Sequence, residues 1–163
     1  MFFNKNKEIN TRLAYIDGIS FYTKGFMIKI SIDDNNKCLI INPLVEKKES
    51  VKVKLQNIIN VSVVTDKDIV EKSKSVLGRA AIGGLLIGPL GAIVGGISGT
   101  GNKVKNKYTY YMVINYKSEI DNEIKVISFK IVDGSLKWSK FFDELKSRIN
   151  KNENLEEVIP EYL

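Results

Sequence analysis

Residues 108–150 read YTYYMVINYKSEIDNEIKVISFKIVDGSLKWSKFFDELKSRIN, and the fold turns on this stretch. Tyr108 to Tyr116 is an aromatic and β-branched run of strand character. A polar turn, Lys117 to Asn122, leads into Ile124–Val132, where side chains alternate with period two. The inward face predicted there is Ile127, Phe129 and Ile131. Asp133-Gly134-Ser135 breaks the strand and offers Ser135 or Asp133 as an N-cap. Trp138, Phe141, Phe142, Leu145 and Ile149 then recur at helical spacing. A helix is expected over 135–150, with an aromatic stripe available to close the open end of a bent sheet.

Moving outward, residues 12–75 read mostly as strands. Leu13, Tyr15 and Ile19 flank Asp17-Gly18, a hairpin dipeptide. Phe26, Ile28, Ile30 and Ile32 alternate with Met27, Lys29, Ser31 and Asp33. Asp33-Asp34-Asn35-Asn36 is a turn, Cys38 to Ile41 a return strand, and Pro43 its end. Val51, Val53 and Leu55 alternate with Lys52 and Lys54, and Ile58 to Val64 is a further β-branched run. The fold class expected is α+β, mainly β. Residues 1–150 form one domain with strands over 12–75 and 107–132, interrupted by an insert at 76–103. Residues 151–163 form an acidic tail with Pro160, loose or weakly helical.

The insert is the unusual part. Nine of the twelve glycines lie between Gly78 and Gly101, and no charge occurs from Ala80 to Asn102. Gly84 and Gly88 are four apart, as are Gly91, Gly95 and Gly99. On helices that spacing makes a flat strip where another backbone can approach closely. Glycine costs about 1 kcal/mol relative to Ala in an exposed helix, so the segment needs close packing or lipid. Pro89 removes a backbone donor and disfavours helix just before it. Two short helices are expected, Val76–Ile87 and Leu90–Ser98, joined at Gly88-Pro89 into a hairpin.

A single membrane span of about 20 apolar residues would fit the length but not the flanks. Lys72, Lys74 and Arg79 precede the segment and Lys103, Lys105 and Lys107 follow it. A hairpin puts all six on one face, as the positive-inside rule prefers. Arms of roughly 8–12 residues reach about 12–18 Å, about half-way through the hydrocarbon. Such a hairpin would be monotopic, with the six cations meeting anionic head groups. The other reading packs the hairpin on its own domain or on a second copy, without lipid.

The formal charge is +6, from 25 basic and 19 acidic residues. Of the basic residues only Arg12, Arg79 and Arg148 are arginine. No arginine–aromatic cluster marks a nucleic-acid face, and nucleic acid is not an expected partner. There is no histidine, which removes His triads, bases and metal sites. The one cysteine, Cys38, lies in an apolar strand and reads as a core residue. Asp33-Asp34 and Glu156-Glu157 lack apolar surroundings to raise a pKa. Asp66-Lys67-Asp68 does not match a calcium loop, and no phosphate-binding glycine motif is present. No catalytic, cofactor or metal residues are assigned, and a non-enzyme is expected. The start, MFFNKNKEINTR, has no secretory pattern, so a cytoplasmic location is expected, peripheral or monotopic at the inner membrane face.

Ile58–Val64, then Gly78-Arg79-Ala80-Ala81-Ile82-Gly83-Gly84, then Gly88-Pro89-Leu90-Gly91-Ala92-Ile93-Val94-Gly95-Gly96, followed by two strands and an aromatic helix, resembles a group of small bacterial and phage proteins. These carry a pleckstrin-homology-like domain interrupted by a glycine-zipper insert. The resemblance covers about residues 50–150 and implies two packed sheets capped by a C-terminal helix. It implies no activity; domains of this class bind lipids, peptides or each other. Two functions are therefore expected of the chain. In the first it associates with membrane or self-assembles through Gly84, Gly88, Pro89, Gly91, Gly95 and Gly99, and perturbs the membrane as an oligomer. The alternative is a soluble protein–protein module whose hairpin is an oligomer interface, with Phe21, Tyr22 and Phe26 lining a peptide groove.

Overall fold

The computed structural model describes residues 8–73, 81–82, 85–98, 107–132 and 134–156. The period-two runs become strands β1 (Ile9–Asp17), β2 (Met27–Asp33), β3 (Cys38–Pro43), β4 (Val51–Lys54) and β5 (Ile58–Thr65). Helix α1 (Asp66–Ser73) follows. The insert contributes β6 (Ala81–Ile82), β7 (Leu85–Leu86) and α2 (Leu90–Ser98). Strands β8 (Tyr110–Lys117) and β9 (Ile124–Lys130) and helix α3 (Lys137–Glu156) complete the chain.

Seven strands form one antiparallel sheet in the order β4-β3-β2-β1-β9-β8-β5. Where two packed sheets were expected, one continuous ladder bends over itself. β1 makes the bend: Ile9–Ala14 pair with β2, and Ala14–Asp17 pair with β9 across a bulge after Tyr15. A bulge kinks a strand and increases its twist. Residues from the two ends of the sheet, Val53 on β4 and Val61 on β5, consequently share one core with Ile30, Leu39, Met112 and Phe129. Helix α3 closes that core with Phe141, Leu145 and Ile149 against β1, β5 and a 3-10 turn at Leu55–Asn57. Arg148 ties α3 to the β2–β3 turn. Its Nε and Nη2 donate to Asp34 at 2.6 and 2.9 Å, and its Nη1 to Glu144 at 2.7 Å.

Several expectations need correction. Asp17-Gly18 is no tight hairpin; residues 18–26 form a longer connection, because Tyr15 holds Ile19 instead. The Tyr15 hydroxyl donates to the Ile19 carbonyl at 2.8 Å and accepts from its N–H at 2.7 Å. The strand region ends at Thr65, not 75. Thr65 and Asp68 form a reciprocal capping box, with the Asp68 N–H donating to Thr65 Oγ1 (3.1 Å) and the Thr65 N–H to Asp68 Oδ2 (3.0 Å). That pair starts α1. The first arm of the insert is not helical where described: Ala81 pairs with Leu86 and Ile82 with Leu85. The second arm matches the predicted Leu90–Ser98 helix. Ile131 lies past the end of β9 and is only half-buried. Helix α3 runs on to Glu156, into the segment read as tail.

Candidate interaction surface

Strand β8, YYMVINYK, is buried on both faces. Met112 and Ile114 enter the main core, while Tyr111, Val113 and Asn115 point the other way. Over that outer face lie α1, the β6–β7 ribbon and α2. A second apolar cluster joins Val64 of β5, Ile69 of α1, Ile87, Leu90 and Val94 of the insert, and Tyr111 and Val113. Burying Ile87, Leu90 and Val94 is worth on the order of 5 kcal/mol. The three glycines of α2 cost together about 3 kcal/mol in helix propensity. Docking therefore outweighs the propensity cost, and α2 is stable because it is packed.

The insert is also clamped by one amide. Asn115 is 2% exposed. Its Nδ2 donates to the Leu86 carbonyl and its Oδ1 accepts from the Leu86 N–H, both at 2.7 Å. The side chain thus pairs with Leu86 as a neighbouring strand residue would. Gly88, with φ of 53°, turns the chain from the ribbon toward α2, and a Cβ added there would meet Val126 Cβ at 3.4 Å. Pro89 precedes α2, and its carbonyl accepts from the Ala92 and Ile93 N–H groups at 3.1 Å. At a helix start its missing N–H costs nothing. At the other edge, the Asp66 N–H donates to the Thr109 carbonyl (3.0 Å), tying α1 to the entry of β8. Burial, and secondarily Asp66, pushes the Tyr111 hydroxyl above the usual tyrosine pKa.

Of the residues singled out in sequence, Gly88, Pro89 and Gly91 lie together at the start of α2. Gly95 is in α2 and Lys72 in α1, while Lys107 is exposed just before β8. Gly84, Gly99, Lys74, Arg79, Lys103 and Lys105 lie outside the described residues. Among the described residues outside its own helix, a Cβ at Gly91 would meet only Ile87 Cδ1, at 3.4 Å. Ala92 beside it is exposed. The proposed aromatic groove is divided. Phe21 and Phe26 are exposed, but Tyr22 is a core tie, its hydroxyl between the Ile41 and Glu49 carbonyls at 2.9 and 2.8 Å.

Asn115 and the outer face of β8 were not singled out in sequence. The signal was present: Tyr110 to Tyr116 is nearly unbroken by polar residues, as in strands covered on both sides. The capping box at Thr65–Asp68 was equally visible. Among the described residues, no group of three or more Cys, Asp or Glu could hold a metal ion, and no helix is long and apolar enough to cross a membrane.

A comparison with curated proteins finds no match. A family described as the glycine zipper containing PH domain matches residues 18–136. That span takes in the β1–β2 loop, every strand from β2 to β9 and the docked insert. The mainly β sheet with its C-terminal helix is consistent with that fold, and the chain belongs to the family of glycine-zipper-containing PH domains.

Proposed function

We propose that the protein is a non-enzymatic, self-associating module. Its PH-like domain presents the glycine-rich insert to a second copy. The observation that carries this reading is at α2. Leu90 and Val94, two of its four large apolar side chains, are spent on the protein's own outer sheet face, and Ile93 is half-buried. Beside them Ala92 is exposed and, among the described residues outside its own helix, no backbone approaches Gly91. A helix retaining glycine where its own domain does not require it keeps a flat surface for another helix. The same burial weakens a free lipid-inserting hairpin, because undocking α2 would uncover Tyr111 and Val113.

A second reading, association with an anionic membrane at the inner face, is favoured by the cations flanking the insert in sequence, Lys72, Lys74, Arg79, Lys103, Lys105 and Lys107. One experiment separates the two. Wild-type protein and Gly91→Leu/Gly95→Leu are compared by sedimentation velocity over a concentration series and by flotation with anionic and neutral vesicles. Circular dichroism checks the fold. Self-association of the wild type that the variant loses, without flotation, is expected. A wild type that stays monomeric at every concentration overturns the proposal. Flotation on anionic vesicles alone, in both proteins, establishes the second reading.

A further inference from the structure

Strand β4 ends the sheet, and among the described residues its outer edge has no neighbouring strand. The phase of the ladder shows which groups face outward. Leu44 donates its N–H to the Met27 carbonyl at 3.1 Å, so Cys38, Ile40 and Asn42 of β3 bond to β2. Leu55 donates to the Lys37 carbonyl at 2.9 Å, so Leu39 and Ile41 bond to Val53 and Val51. Antiparallel residues bond to one neighbouring strand at alternate positions. The N–H and C=O groups of Lys52 and Lys54 therefore face the open side.

Beside this edge lies a cleft of about 570 Å³, lined by β4, Asn57 and the end of β8 with the loop after it. Its apolar wall is Tyr116 and Ile120, the latter 95% exposed. Four lysines line it, Lys52, Lys54, Lys117 and Lys125, against one carboxylate, Glu119. That carboxylate shows what the edge accepts. Glu119 is exposed on the loop, and its Oε1 lies 2.8 Å from Lys54 Nζ and accepts from Asn57 Nδ2 at 3.0 Å. A seat for a carboxylate is thus built beside β4, and a neighbouring loop fills it. Lys125 pairs with Asp121 at 2.6 Å, whereas Lys52 and Lys117 are in no ion pair among the described residues.

A strand added at this edge needs acidic side chains at alternate positions for the lysines and apolar ones between them for Tyr116 and Ile120. The β4 strand of a second copy does not supply them. Pairing two β4 strands antiparallel would set Lys52 and Lys54 against the same lysines, and like charges placed opposite one another are destabilising.

We propose that the free edge of β4 takes an extended acidic segment of another protein as an added strand, and that Glu119 yields its seat on Lys54 to a carboxylate of that segment. No residue of the insert takes part, so the edge and self-association are tested apart. The bland alternative is that the lysines only guard the open edge against pairing. The probe is a synthetic library of octapeptides with Glu, Ser or Lys at one set of alternate positions and Val, Leu, Tyr or Thr at the other, selected on the full chain. The tightest binder is titrated by fluorescence anisotropy, and NMR follows amide exchange at saturation. Enrichment of Glu over Ser and Lys is expected, with exchange at Lys52 and Lys54 slowed about tenfold or more. Lys52→Glu/Lys54→Glu should weaken binding about tenfold, and Glu119→Gln should tighten it about two- to fivefold. All three residues are exposed, and circular dichroism checks that the variants keep the fold. No enriched peptide, or a binder that leaves both amides unprotected, overturns the proposal and leaves the lysines as guards. Protection already present without peptide overturns it too. Growing with concentration, it assigns the edge to a second copy; independent of concentration, to the chain's own residues. Affinity that does not rise in Glu119→Gln overturns the exchange of carboxylates on Lys54.

Discussion

A methyl group added at Gly18 would sit 2.2 Å from the Val126 carbonyl oxygen and 2.7 Å from Ile127 Cα. Both are backbone atoms of β9, and neither can swing away as a side-chain tip would. The residue also has φ of 112°, which other residues rarely adopt. Gly18→Ala should therefore cost about 2 kcal/mol or more, read as a lower urea midpoint with an unchanged slope. Gly91 is the opposite case. Among the described residues outside its own helix, its added Cβ would meet only the side-chain end of Ile87, at 3.4 Å. Gly91→Ala should stabilise the monomer by up to about 1 kcal/mol, measured the same way. If sedimentation shows weaker self-association of the same variant, glycine is retained at 91 for a partner and not for the fold.

Asn115 sets the attachment of a whole element. Replacing it with Leu keeps the volume roughly and removes both bonds to Leu86, leaving that residue's N–H and C=O without this partner. The expected loss is about 2–3 kcal/mol. It should be localised, with faster amide exchange at Leu86–Val94 while β1–β4 amides hold their protection. Uniform loss across the sheet would mean that the insert and the sheet open as one unit. This attachment explains what was legible in the sequence and what was not. Strands β2, β3, β4, β8 and β9 announced themselves because one or both faces are apolar with period two, and α3 did so through its aromatic stripe. The Gly88-Pro89 joint and α2 followed from proline chemistry. The β6–β7 ribbon did not, because the bonds to Leu86 come from Asn115, 29 residues further on. Helix α1 is hidden in the sequence for a different reason. Its eight residues, DKDIVEKS, are too few for a clear period, and only the Thr65–Asp68 cap marked its start.

Among the described residues, the side chains whose pKa the fold shifts divide into lowered carboxylates and raised groups of the alkaline range. Asp121 is held down to about 2, first by its hydrogen bond to Lys125 and then by the Glu123 N–H. Asp33, Glu46 and Glu119 are lowered in the same direction, chiefly by side-chain bonds to Asn36, Thr23 and Lys54 respectively. A carboxylate whose pKa is depressed by folding adds stability above its unfolded value, and that stability is lost as the pH falls through the folded one. The tyrosines act on the other side. Burial raises Tyr15, Tyr22, Tyr111 and Tyr116 above 10.0. A group raised by folding contributes fully below its unfolded value, and the contribution disappears as the pH climbs past the folded one. Cys38 is likewise raised above 9.0, mainly by burial. With no histidine in the sequence, no side chain of that type titrates in the neutral range. Urea midpoints should therefore be flat between about pH 5 and pH 9 and fall on both sides. Below about pH 4 the fall tracks the lowered carboxylates, and above about pH 10 the buried tyrosines. A midpoint that moved by more than the measurement error between pH 6 and pH 8 would show a group with a folded pKa near neutrality and overturn this expectation.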